Sequence, residues 1–109
     1  MKRTLVVVTM LAFGSFLACK AEDAKSIWTA QCAKCHGADG KGLTGMGKKL
    51  KLRDFTDAKV QAELKDEAMC AAIKDGLKTK EGNTLMKPAE NVTADDVKAL
   101  VQLVRGMKK

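Results

Sequence analysis

Apolar positions along this chain fall into one continuous run near the start and a series of helical stripes after it. The clearest stripe is Val97, Leu100, Val101 and Val104, which recurs at the 3.6-residue period with Leu103 flanking it. It predicts a helix over Thr93 to Met107, opened by Thr93 with Asp96 three residues on, an S/T-x-x-D capping pair. A second helix is predicted over Asp66 to Asp75. Met69, Ala72 and Ile73 follow helical spacing, Asp66 and Glu67 suit the positive end of the helix dipole, and Gly76 closes it. Glu22 to Gln31 reads as an Ala-rich first helix carrying Ile27 and Trp28, and Asp57 to Glu63 as a weak short one. Between these, Gly37, Gly40, Gly42, Gly45 and Gly47 are too dense for regular helix and predict a wrapping loop. Lys78 to Asn91 is a second irregular stretch and holds the only proline, Pro88. No segment alternates convincingly at period two. The expected fold class is therefore all-α, three or four helices joined by long loops. Loops of this length in a small domain call for a task, and wrapping a cofactor is one.

The continuous run is Leu5 to Ala18, broken only by Thr9, Gly14 and Ser15 and preceded by Lys2 and Arg3. It is too short to span a bilayer comfortably and reads as a secretory signal peptide over residues 1–18. The competing reading, an uncleaved anchor, is disfavoured because Lys20, Glu22 and Asp23 follow at once. Phe16-Leu17-Ala18-Cys19 resembles a bacterial lipobox, although Phe16 stands where that pattern has an aliphatic residue. Cleavage before a lipidated Cys19 is the preferred expectation, and a cut after Ala21 is the alternative. The mature domain then runs over 19–109.

Composition sharpens what such a short domain needs. Of its 109 residues the chain has one Trp, three Phe and no Tyr, and Phe13 and Phe16 lie in the leader, so Trp28 and Phe55 are the only mature aromatics. A domain this small buries little apolar surface and commonly needs a staple. A large flat group other than a side chain would fill the core. The net charge of +7, or +5 without Lys2 and Arg3, would suit acidic proteins, acidic membranes or nucleic acid. Export and the lack of an aromatic-plus-basic array argue against nucleic acid.

Candidate chemistry lies in Cys32-Ala33-Lys34-Cys35-His36, a C-x-x-C-H sequence that is the attachment signature of c-type haem. Two cysteines one turn apart can each bond a vinyl group of the same porphyrin as a thioether, and His36 follows directly as an iron ligand. A thioredoxin-like pair would need a βαβ context, and none is visible. A zinc site wants four ligands, and His36 is the only histidine. A Cys32–Cys35 disulfide would leave His36 without a role. For the sixth iron ligand, His plus Met is common in electron carriers, and a second His does not exist here. Met46 follows His36 too soon, Met69 reads as core filler and Met107 lies at a fraying terminus. Met86, just before Lys87-Pro88, is preferred. Cys70 is expected to be a buried inert thiol, with a Cys19–Cys70 disulfide as the alternative.

With these residues the chain resembles a class I monohaem cytochrome c of the bacterial periplasmic kind, over nearly all of the mature sequence. Trp28 stands where that family has an aromatic on its N-terminal helix. Ala24 stands where it usually has glycine at the crossing of the terminal helices. Cys32 to Gly42 resembles its haem-attachment segment, Met86-Lys87-Pro88 its distal loop, and Thr93 to Arg105 its final helix. Leu103 departs from the aromatic usual on that helix. The resemblance implies steeply crossed terminal helices and one haem c held between His36 and Met86 with an exposed edge.

The expected function is a one-electron carrier rather than an enzyme, since no group stands ready for acid–base work on a substrate. A five-coordinate haem module for small-ligand binding or peroxidase-like catalysis is the rival, and a haem subunit of a dehydrogenase complex is a third. The expected setting is the periplasm, with membrane attachment only through lipid on Cys19, and a monomer is expected. Lys48, Lys49, Lys51, Arg53, Lys78, Lys80 and Lys87 are either an ordinary solvated surface or a basic rim that steers acidic redox partners. Arg53 is also a possible haem-propionate partner. Intact mass of the mature protein is expected to equal residues 19–109 plus one haem and lipid. A mass fitting residues 22–109 plus one haem would assign the other cleavage.

Overall fold

The computed structural model describes residues 21–109. The leader over 1–18 and the lipid expectation at Cys19 lie outside the described residues. The described chain is mostly helical, with one two-stranded hairpin. In order its elements are α1 (Ala21–Ile27), a wide π turn (Trp28–Cys32), α2 (Ala33–His36), α3 (Gly45–Leu50), α4 (Ala58–Glu63), α5 (Asp66–Asp75), β1 (Leu77–Lys78), β2 (Thr84–Met86) and α6 (Ala94–Arg105).

The terminal helices pack on each other. The predicted stripe on α6 is its buried face: Val97, Leu100, Val101 and Val104 all lie in the core. Each such side chain contributes about 1.5–3 kcal/mol of gross burial. The predicted capping pair closes as a full box. The Asp96 N–H donates to Thr93 Oγ1 at 3.1 Å and the Thr93 N–H donates to Asp96 Oδ2 at 2.9 Å. On α1 the matching residue is Ala24, 1% exposed, whose single methyl lets the two backbones approach closely. Leu103, which stands where the resembled family usually has an aromatic, is half-buried against the core. Helix α5 has the predicted bounds and adds Met69 and Ile73 to the core.

Four expectations need correction. The first helix does not stop at Gln31. It widens by an i→i+5 turn, in which the Ala33 N–H donates to Trp28 O, and continues as α2 to His36. Trp28 and Cys32 are both buried by this arrangement.

The glycine-rich stretch is not wholly loop, because Gly45–Leu50 forms α3. Thr44 caps it, its Oγ1 accepting from the Gly47 N–H at 2.9 Å and donating to Cys35 O at 2.5 Å. Gly47 sits in this helix for closeness: a Cβ there would collide with the carbonyl oxygens of Gly42 and Cys35. Tertiary contact outweighs the poor helix propensity of glycine.

The segment after α5 is partly ordered as a hairpin, with Leu77 paired to Met86 and Lys78 to Thr84. Strands of two and three residues leave no alternation for a sequence to show. The turn is closed by Thr79, whose N–H donates to Asn83 O at 2.8 Å.

Met107 is not frayed. It packs against the core, and the terminus is tied down by the Lys109 N–H donating to Thr56 O at 3.0 Å.

A polar network unseen in the sequence joins α4 to the end of α6. Gln61, 5% exposed, donates through Nε2 to Phe55 O at 2.7 Å and Val104 O at 2.8 Å. Arg105 donates to Gln61 O at 2.6 Å and Leu64 O at 2.7 Å, and its Nε reaches Asp66 at 2.9 Å. One guanidinium thus satisfies the free carbonyls at the C-terminal end of α4 and the acidic start of α5. Arg105→Ala is expected to destabilise the fold by about 2 kcal/mol, with Arg105→Lys recovering only part because an ammonium cannot match the fork. Denaturant midpoints check this, and an unchanged midpoint in the Ala variant would contradict it.

Candidate functional site

The helix-and-turn segment that crosses α6 also presents the C-x-x-C-H residues. Continuation of the helix through Cys32 turns that side chain inward and leaves it 8% exposed, whereas Cys35 is half-buried. Gly37, at φ +84°, then turns the chain out of α2, a conformation that side chains other than glycine rarely adopt. The indole Nε1–H of Trp28 donates to Gly37 O at 3.0 Å, bracing this turn.

Three rings meet here. The His36 imidazole stacks on Phe55 at 5.1 Å between centroids and lies 5.6 Å from the Trp28 ring, while Trp28 and Phe55 meet edge-on at 6.4 Å. Burial lowers the pKa of His36 from its ordinary value, so the neutral imidazole, with a free nitrogen lone pair, is the favoured form. Burial, with a smaller contribution from Cys35, raises the pKa of the Cys32 thiol.

These side chains open on a cavity of about 350 Å³. Trp28, Cys32, His36 and Phe55 form one wall. Met69, Ala72 and Ile73 of α5 form another, and Leu77 and Met86 of the hairpin a third. Leu100 and Val104 of α6 lie at its base, and Lys51 and Arg53 also line it. A larger, more open hollow of about 700 Å³, bordered by Ala24, Ala38, Lys98, Gln102 and Met107, contains none of Cys32, Cys35, His36 and Met86.

Of the predicted residues, Cys32, His36 and Met86 border the same cavity. Cys35 lies beside it on α2 without lining it. Met69 borders it as well, but as a 9% exposed side chain packed within the core, while Met86 is half-buried on the edge hairpin. Met46 is 46% exposed on α3. Cys70 is a free thiol, half-buried against the core rather than fully buried as expected. Arg53 pairs with Glu63.

The cavity fits a haem by its donor set. Its lining is apolar, the unpaired Cys32 thiol lines it with the free Cys35 three residues on, and a thioether and an imidazole border the same space. The Nδ1 of His36 is buried with no hydrogen-bond partner, an expensive arrangement for a ring that has no further role. Among the described residues no group of three His, Cys, Asp or Glu side chains is arranged to hold a metal ion.

Sequence reasoning missed three supports of this site. Phe55 was counted as an aromatic but not placed against His36. Thr44, which holds Cys35 O, carried a readable signal as a helix N-cap residue before Gly45–Leu50. Gln31, whose amide bonds the backbone of Glu90, carried none, since its partner lies 59 residues away.

Comparison with known proteins bears on this geometry. A family model described as cytochrome c matches residues 21–108. The chain is similar to a solved c-type cytochrome, KustC0563, at 40% identity and a TM-score of 0.66, over 79% of this chain and 98% of that one. A tyrosine-to-phenylalanine mutant of that cytochrome is similar too, at 40% identity and a TM-score of 0.64, over 79% and 99% of the respective chains. No protein among the curated ones matches.

With a cavity in place of large aromatic side chains at its centre, the fold is expected to depend on what the thiols tether. Replacing Cys32 and Cys35 together by Ala should cost most of the helical circular dichroism. A well-folded, helical, haem-free double variant would contradict this.

Proposed function

The chain belongs to the cytochrome c family, whose chemistry is haem-based electron transfer, and from that premise we propose that it is a one-electron carrier with a single haem bonded through Cys32 and Cys35 and ligated by His36 and Met86. The observation that carries the proposal is the convergence of Cys32, His36 and Met86 on one apolar cavity, with a buried imidazole nitrogen that has no partner. When bound, the haem supplies an iron that gains and loses one electron without either ligand leaving.

The residues set how readily that happens. Trp28 and Phe55 restrict the His36 ring from two sides, so the imidazole need not reorganise when the charge changes. Burial keeps it neutral, as a ligand must be. The Met86 thioether is soft and favours the reduced metal, which raises the potential relative to two imidazoles. The apolar walls from α5 and α6 exclude water and disfavour the additional positive charge of the oxidised state. Met86 is preferred to Met69 because it sits on an exposed hairpin beside Pro88, which can place it, whereas Met69 fills the core between helices.

The setting belongs to the same reading. Lys48, Lys49, Lys51, Lys78, Lys80 and Lys87 are exposed on α3, its C-cap and the hairpin. Lys51 borders the cavity, as does Leu77, the residue before Lys78. A basic rim there would speed encounter with acidic redox partners in a salt-dependent way. The protein would work as a monomer in the periplasm, exported by the leader and attached to membrane if Cys19 is lipidated. Arg53 lines the cavity and pairs with Glu63 at the surface.

The ferric holoprotein is expected to show the weak near-red sulfur–iron absorption band. Met86→Ala should abolish the band and lower the potential, while Met69→Ala should retain it. A high-spin, carbon monoxide-binding ferrous spectrum in the unaltered protein would favour the five-coordinate rival.

A further inference from the structure

The segment that carries Met86 is fastened on two sides, and the second fastening is a single side chain. On the first side it follows α5. Leu77 pairs with Met86, the Ala89 N–H donates to Ile73 O at 2.8 Å, and Pro88 lies so close to Gly76 that a Cβ there would be 3.0 Å from its Cδ. On the other side stands Gln31, the residue immediately before Cys32. Its Nε2 donates to Glu90 O at 2.9 Å, and its Oε1 accepts from the Glu90 N–H at 2.8 Å. The amide thus completes both hydrogen-bonding groups of one backbone residue, as a neighbouring strand would. Both hydrogen bonds join the 84–92 segment to the helix carrying Cys32, Cys35 and His36.

We propose that Gln31 is a positioning residue that sets how firmly Met86 is held at the iron, by clamping the distal segment to the attachment motif. The inference rests on the ligation by His36 and Met86 proposed above. Displacing a thioether from iron succeeds only if the side chain then stays away. A clamped segment keeps the Met86 sulfur near the metal at a high effective concentration, so it rebinds. Without the clamp, the segment is free to swing out on its α5 fastening, and rebinding competes less well with an outside ligand. The clamp uses the backbone of Glu90, so the Glu90 side chain has no part in it. Both residues are exposed, so changes there do not disturb the core.

The test uses the holoprotein and titrates imidazole against the sulfur–iron band. Gln31→Ala is expected to keep the band but bind imidazole about tenfold more tightly, equivalent to ~1.4 kcal/mol. Gln31→Asn, whose amide is too short to reach, should follow it. Glu90→Ala should match the unaltered protein. Unchanged imidazole affinity in Gln31→Ala, with the band intact, would overturn the clamp and leave the ligation standing. A shift in Glu90→Ala as large as in Gln31→Ala would also overturn it. Absence of the band in the unaltered protein, or its survival in Met86→Ala, would instead remove the ligation and the clamp with it.

Discussion

The packing of α1 against α6 constrains the rest of the molecule, because the same short segment that makes the crossing also carries the chemistry. Ala24 lies in the core against α6, and one helical turn later Trp28 is buried, followed one wide turn later by Cys32. A larger residue than Ala24 would hold the helices apart and would move the attachment motif away from Leu100 and Val104 at the base of the cavity. The wide turn over Trp28–Cys32 serves the same geometry. It adds room in the helix where the chain passes from packing against α6 to lining the cavity, and insertions of this kind are frequent at functional sites.

Around that crossing, close approaches of backbone do what large side chains do in bigger domains. Gly47 lets α3 lie on the carbonyls of Gly42 and Cys35, and Gly76 lets the Pro88 segment lie against the end of α5. The charged and amide groups complete the packing where apolar contact is lacking. Arg105 occupies the carbonyls left at the end of the short α4, Gln61 those of Phe55 and Val104, and Gln31 pairs with the C=O and N–H of Glu90. With two aromatic residues in the described chain, both spent on the His36 ring, little bulk remains to fill the centre.

The elements that were legible in the sequence are those whose signals are local. The α6 stripe and its Thr93–Asp96 box, the bounds of α5, the short α4, and the C-x-x-C-H spacing all rest on residues within a few turns of each other. The elements that were not legible depend on partners far along the chain. Gly45–Leu50 reads as loop because glycine disfavours helix, and it becomes helix because Thr44 and Gly47 meet Cys35 and Gly42. The hairpin is too short to show alternation. The C-terminus reads as frayed, yet Met107 packs and Lys109 bonds Thr56. Cys70 reads as buried and is only half so.

By itself the sequence determined the class of fold, the attachment motif with its single histidine, and a shortlist of methionines, since periodicity, spacing and residue identity are local properties of a chain. Only the tertiary structure decided that Cys32, His36 and Met86 border one cavity, that Met46 and Met107 lie outside it, and that Gln31 ties its two sides together. Those facts depend on which residues meet after the helices cross, and contacts across 50 or more positions leave no pattern in the order of the residues.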